Sequence, residues 1–297
     1  MIEKFNFYDI YGYVLPGGVF LAILWAPFGL VKGTLPPGDW SAALIAGAIA
    51  YVMGHLLQNV ATNAIPSRRT TKRNRYPSEI CLDPVSELPT AAKVKIKTLI
   101  ETQFGLNLQI DKEGDAEIDS VRNSAFLLAR QVLIQGKAVS YAEQFQGMYA
   151  LSRCLFSAFW VACAYWVGWA AAAARSTYLL SGAIILLVSA FLGLLNILII
   201  RAKVTNPETK HRLEIAYALG LSIVFLTAGY LAGANSHLTS HISAILAFMA
   251  ACSLLACYRL KGAYNYYAGR FASTVWRDYL AFNVTSAGSH EPSNQDV

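Results

Sequence analysis

The sequence predicts an all-α integral membrane protein, and three observations carry that prediction. Hydrophobic residues make up 55% of the 297-residue chain and charged residues only 14%, where a soluble domain carries about 25% charged residues. Apolar runs recur at lengths near the ~20 residues needed to cross a bilayer. The Lys and Arg residues fall almost wholly on one side of the topology that those runs define.

The runs are 11–31, 40–62, 150–174, 178–200, 214–234 and 240–260, giving about six transmembrane helices. Pro16 and Pro27 interrupt the first. Pro16 suits a first helical turn, where its missing N–H is not needed. Pro27 predicts a kink near the outer end. With the N- and C-termini both cytoplasmic, the external loops are 32–39, 175–177 and 235–239. They hold only Lys32 and Arg175 of the 24 Lys and Arg residues. A five- or seven-span topology would put a basic cluster outside, against the positive-inside rule. The N-terminus has no basic n-region and no small-x-small cleavage site, so the first run is expected to stay in the mature chain.

Five segments follow from this topology. Residues 1–62 form an interfacial segment and the first transmembrane hairpin. Residues 63–148 form a small, mainly helical cytoplasmic domain between spans two and three. Residues 149–260 supply four further spans, 261–282 a cytoplasmic or interfacial helix, and 283–297 a polar tail expected to be disordered. Within 63–148, a helix is predicted over 91–104, with Thr90 as N-cap and Gly105 just past its end. "GLNLQIDKEGDAEID" alternates and contains a turn, which suggests a small hairpin. "VRNSAFLLARQVLI" reads as a second helix. Ser140 and Glu143 have capping-box spacing, and a helix from about 141 to 174 would be on the order of 50 Å long. The last span continues without proline to about 281.

Soluble-enzyme motifs are missing: there is no P-loop, G-x-S-x-G, H-E-x-x-H or G-x-G-x-x-G. A non-enzymatic role is expected, with no cofactor and no metal. "DKEGDAEID" has its glycine at the wrong position for a calcium loop. The five cysteines lack paired C-x-x-C spacing and read as small buried hydrophobes.

Polar residues within the second run are more informative. Tyr51, His55, Gln58, Asn59 and Asn63 lie along one side of a helix. They either hydrogen-bond to a neighbouring span or line a conduction path. On the same run Ala43, Gly47, Ala50 and Gly54 have the spacing that lets another helix approach closely. The cluster Arg68, Arg69, Lys72, Arg73 and Arg75 sits just inside the membrane. It suits attraction to anionic lipid, or a patch for the phosphates of a signal molecule. Lys261, Arg270 and Arg277 lie beside Tyr264, Tyr266, Tyr267, Phe271 and Trp276. That interleaving suits base stacking, or a helix at the bilayer interface. Asp9 with Pro16-Gly17-Gly18 reads as a hinge between an interfacial helix and the first span.

The opening "YDIYGYVLPGG", through Asp9, Gly12, Tyr13, Pro16 and Gly17, resembles the entry to the first span of bacterial membrane effectors encoded in anti-phage defence loci. The membrane channel subunit of the Hailong system is of this kind. The resemblance covers a small part of the chain. It implies a multi-pass protein of the bacterial inner membrane, controlled by a nucleotide or short single-stranded nucleic acid. A partner nucleotidyltransferase or sensor encoded nearby would supply that signal. Together with the polar stripe, it suggests a homo-oligomeric ion channel or pore, taken here as a tetramer. A membrane anchor that recruits a soluble partner is the rival reading, and a small transporter is a third.

Overall fold

The computed structural model of the protein describes residues 9–33, 40–64, 75–136, 141–172, 186–190, 192–194, 197, 200, 207–234 and 240–288. A π-helical turn, Ile10–Val14, leads into α1, Leu15–Lys32. There follow α2, Trp40–Ala64; α3, Pro77–Ile80; α4, Thr90–Phe104; α5, Ala116–Gln135; α6, Ala142–Ala171; α7, Pro207–Ala234; and α8, Ser240–Gly288. The described residues between 186 and 200 are also helical, and no strand occurs among the described residues. Five helical stretches are long and apolar enough to cross a membrane: Ile10–Lys32, Ala42–Thr62, Ala142–Ala171, Arg212–Ala234 and His241–Val284. They correspond to five of the expected runs. The run 178–200 lies largely outside the described residues.

The chain divides into two compact units, one of residues 1–66 and 150–264, the other of 67–149 and 265–297. In the first unit α6 is the central helix. Half of its span is buried, against 17% for α2. Ala158, Val161, Ala162, Tyr165, Trp166 and Trp169 of α6 pack with Phe20 and Ile23 of α1, Leu57 of α2, Leu221 of α7 and Leu246 of α8.

Pro27 lies inside α1. It cannot donate to the carbonyl of Ile23 four residues back, so that carbonyl is released from the helix. The indole N–H of Trp166 donates to it at 3.1 Å. In a bilayer interior no water is at hand to do this, so the partner must come from a neighbouring helix.

Helix crossings in this unit run backbone to backbone. A Cβ on Gly17 would overlap the Ala50 carbonyl, and one on Gly54 would overlap the Tyr13 carbonyl. The same device joins α6 and α7, where a Cβ on Gly168 would meet the Leu226 carbonyl and one on Gly229 the Tyr165 carbonyl. Small residues at these points let the helices close up, which is where helix association in lipid finds its packing energy.

The second unit has its own core. Leu82, Ile96, Ile100, Leu108, Phe126 and Leu133 pack with Ala272, Val275, Trp276 and Tyr279 of α8. The insert between α2 and α6 therefore closes its core with residues from the far end of the chain. The Trp276 indole donates to the Ser78 carbonyl at 3.3 Å. Asp115 caps α5, its carboxylate accepting from the backbone N–H groups of Glu117 and Ile118.

Three expectations are corrected here. Thr90 is the first residue of α4 rather than its cap, and Pro89 takes the cap position. The hairpin over 105–119 is absent. Leu106, Leu108 and Ile110 do point inward alternately with exposed neighbours. No second strand pairs with them, and the Arg122 guanidinium takes the Gln109 and Lys112 carbonyls instead. The tail is helical through Gly288. Asn283 is held there, accepting from Gln103 and donating to the Tyr279 carbonyl.

Trp166→Phe strips the donor from the Ile23 carbonyl and is expected to cost about 1–3 kcal/mol. In a Pro27→Ala background that cost should shrink, because an alanine there returns a backbone N–H to the same carbonyl. Unfolding of the full chain in detergent micelles, run as a double-mutant cycle, checks this.

Candidate functional site

The site is built on α2 and the entry to α1. The His55 ring stacks on Tyr13, centroids 3.8 Å apart and planes at 18°. Tyr51 meets the same imidazole edge-on at 4.7 Å. His55 and Asn59 are exposed, whereas Tyr51 and Gln58 are half-buried. Gln58 turns toward α6, where its Oε1 accepts from the Cys154 thiol at 2.6 Å. Its carbonyl accepts from the Thr62 hydroxyl at 2.7 Å, and that hydroxyl accepts in turn from Arg153. The polar stripe thus divides. Gln58 is bonded into the first unit, while His55 and Asn59 look outward. Asn63 is helical, and its side chain lies outside the described residues.

Arg153 was not singled out from the sequence. It is a buried arginine on α6, only 6% exposed. Its one signal is a cation at the start of an apolar run, and hydropathy averages it away.

The expected hinge is corrected. The helix runs without a break from Asp9 to Lys32. Asp9 stands at the cap position of the π turn, in helical conformation and without a side-chain capping bond. Leu15 N–H donates to the carbonyl of Ile10, five residues back. Four residues before Pro16 lies Gly12, whose carbonyl the proline ring would crowd in an α-helix. Widening the turn to π geometry moves that carbonyl aside. Pro16 and Gly17 are buried, and Gly17 is clamped on Ala50. A Cβ on Gly18 would meet nothing within 4 Å. The two glycines therefore have different roles, and neither makes a bend.

Arg75 is also corrected as a residue for binding a signal. It is 5% exposed. Its guanidinium is paired to Asp83 at 2.5 and 2.9 Å and to Asp119 at 2.5 and 2.7 Å. Arg122, fully buried, adds a bond to Asp83 at 2.6 Å. Burial by itself would lower the Arg75 pKa, but the hydrogen bonds to Asp83 and Asp119 raise it well above its ordinary value. Burial by itself would raise Asp83, yet bonds from Arg75 and Arg122 hold it below the ordinary 3.8. Gly114 lies against this cluster, where a Cβ would strike Asp119 and Arg75. Lys93, also buried, donates to the Asp83 and Pro84 carbonyls, and burial lowers its pKa.

Arg68, Arg69, Lys72 and Arg73 lie outside the described residues. Lys261 and Arg277 are exposed on α8. Arg270 sits over the Tyr266 ring at 5.3 Å. Trp276 and Phe271 pack in or on the core of the second unit, so they do not offer faces for base stacking. Among the described residues no group of three or more His, Cys, Asp or Glu could hold a metal ion.

Gly17→Leu and Gly54→Leu should each destabilise the chain by at least the ~1–3 kcal/mol typical of overpacking, since each side chain would meet backbone. Gly18→Leu should leave stability within about 0.5 kcal/mol. Thermal melts in detergent distinguish them. Asp83→Asn removes the charge between two buried guanidiniums and should cost about 3–5 kcal/mol at neutral pH. The folded pKa of Asp83 is depressed, so its stabilisation is complete above 3.8 and is lost as pH falls through the lower folded value. The gap between wild type and Asp83→Asn should therefore hold steady above that pH and close below it in acid titrations.

No protein-family model, no curated protein and no solved structure matches this chain.

Proposed function

We propose that this chain is the subunit of a homo-oligomeric ion channel or pore effector of the bacterial inner membrane, with α2 from each copy lining the conduction path. One observation carries the reading. His55 and Asn59 are exposed on the least buried of the five apolar helices. An imidazole and an amide at membrane depth do not face acyl chains without cost; they face water or another polar surface. Repetition of α2 around an axis supplies both. In this reading 178–200 is the sixth span and both termini are cytoplasmic.

The signal would arrive on the cytoplasmic side. Arg68, Arg69, Lys72, Arg73, Lys261, Arg270 and Arg277 are the cations proposed to meet the phosphates of a nucleotide or short single-stranded nucleic acid. The resemblance of the opening stretch to anti-phage membrane effectors, Hailong channel subunits included, favours a nucleotidyltransferase or sensor as the source of that signal. A ligand gates the pore only through unequal affinity for its open and closed states. A second reading, an anchor that recruits a soluble partner, is favoured by the separate core of the second unit.

Planar-bilayer recording from the purified full chain tests the proposal. Currents are expected on adding nucleoside triphosphates or short single-stranded DNA, and His55→Leu and Asn59→Leu should lower the conductance. Silence under all these probes sinks the channel reading. Unchanged currents in both variants would remove α2 from the path.

A further inference from the structure

The exposed side of α2 changes character along its length. Leu44, Ala48, Val52, His55, Asn59 and Thr62 fall within an arc of about 80° at 3.6 residues per turn. All six are exposed. Leu44 is 76% and Val52 58% exposed, although both are large and apolar. The opposite side, Ala50, Leu57 and Ala61, is buried. The stripe from Leu44 to Thr62 is about 27 Å long, close to the ~30 Å of a bilayer's hydrocarbon. Its first half is wholly apolar and its second half is polar. Within the chain, Tyr13 covers one face of the His55 ring and the Thr62 hydroxyl is bonded to Gln58 and Arg153, while Leu44, Ala48, Val52 and Asn59 stay exposed.

An apolar face alone would suit lipid. The polar continuation of the same stripe does not, because acyl chains offer no partner to the exposed imidazole of His55 and amide of Asn59. The occupant that satisfies the whole stripe is the same stripe of further copies of this chain, facing across a narrow water-filled axis. The polar halves then form a wet vestibule. The apolar halves form a constriction in which water is unstable, so ions cannot pass although no side chain plugs the path.

We infer that Leu44, Ala48 and Val52 of α2 form a hydrophobic gate, closed at rest by dewetting, above a vestibule lined by His55 and Asn59. This inference rests on the channel reading and adds to it the place and physical nature of the barrier.

The test uses the full chain in planar bilayers without added nucleotide. Val52→Asn, and the near-isosteric Val52→Thr in case the first does not fold, should conduct at rest. Phe248→Asn, at a 69% exposed position on α8, should stay as silent as wild type. Resting currents that are equal in wild type and both Val52 variants overturn the gate. If wild type nevertheless conducts with nucleotide or single-stranded DNA, the channel reading survives and only the gate fails. Silence of every protein under every probe removes both. A second readout needs no current. With Cys252 replaced by Ser, Val52→Cys and Asn59→Cys should form oxidative cross-links between copies, and Phe248→Cys should not. Folded protein without cross-links at Val52 would mean that the stripe faces lipid, and the gate falls.

Discussion

Everything proposed for α2 depends on how it is rotated, and that rotation is set by two glycines. Gly17 lies on the Ala50 carbonyl and Gly54 on the Tyr13 carbonyl, so α1 and α2 meet with no side chain between them at these points. Turning α2 by even one residue would drive a Cβ into the opposing backbone. The Ala50–Gly54 side is therefore committed to α1, and the side opposite must look outward. The stack of Tyr13 on His55 follows from the same approach. The outward stripe is thus a consequence of packing, not a free surface choice.

The second unit solves a different problem. It is small, and a small core buries too little apolar surface to be comfortable by itself. It borrows Val275, Trp276 and Tyr279 from α8, and it ties α5 and the segment before α3 together with two carboxylates and two guanidiniums. Such a cluster is weak evidence for net stability, because desolvation offsets much of the attraction. What it imposes is specificity. Arg75 and Asp83 flank α3, whereas Asp119 and Arg122 sit one turn apart on α5, and the cluster fixes how these two segments meet.

The spans were legible because length and hydropathy are local properties of a sequence, and the long α6 and α8 were legible because no breaker interrupts them. The close approach at Gly54 was legible as spacing, though its partner was not. The misreadings share one cause: the deciding neighbour is remote in sequence. Alternation over 106–110 records burial of every second side chain, and an arginine serves where a partner strand was expected. Arg75 looks like one more cation of a basic cluster until Asp119 is placed beside it. Trp276 looks like an interfacial aromatic until the core it fills is known. Pro16-Gly17-Gly18 reads as a bend in one dimension. In three, the π turn ahead of it absorbs the proline and Gly17 answers to another helix.

The bond from Trp166 to the Ile23 carbonyl bears on how the chain is assembled. Donor and acceptor are 143 residues apart. A ribosome delivers the first helix well before the third apolar helix exists. During that interval α1 carries a carbonyl that its own proline has orphaned, at a depth where water is scarce. The first hairpin is held by its glycines, but its hydrogen bonding is completed only when α6 arrives. Biogenesis of this protein is in that sense sequential, with an early element left chemically unfinished until a later one docks against it.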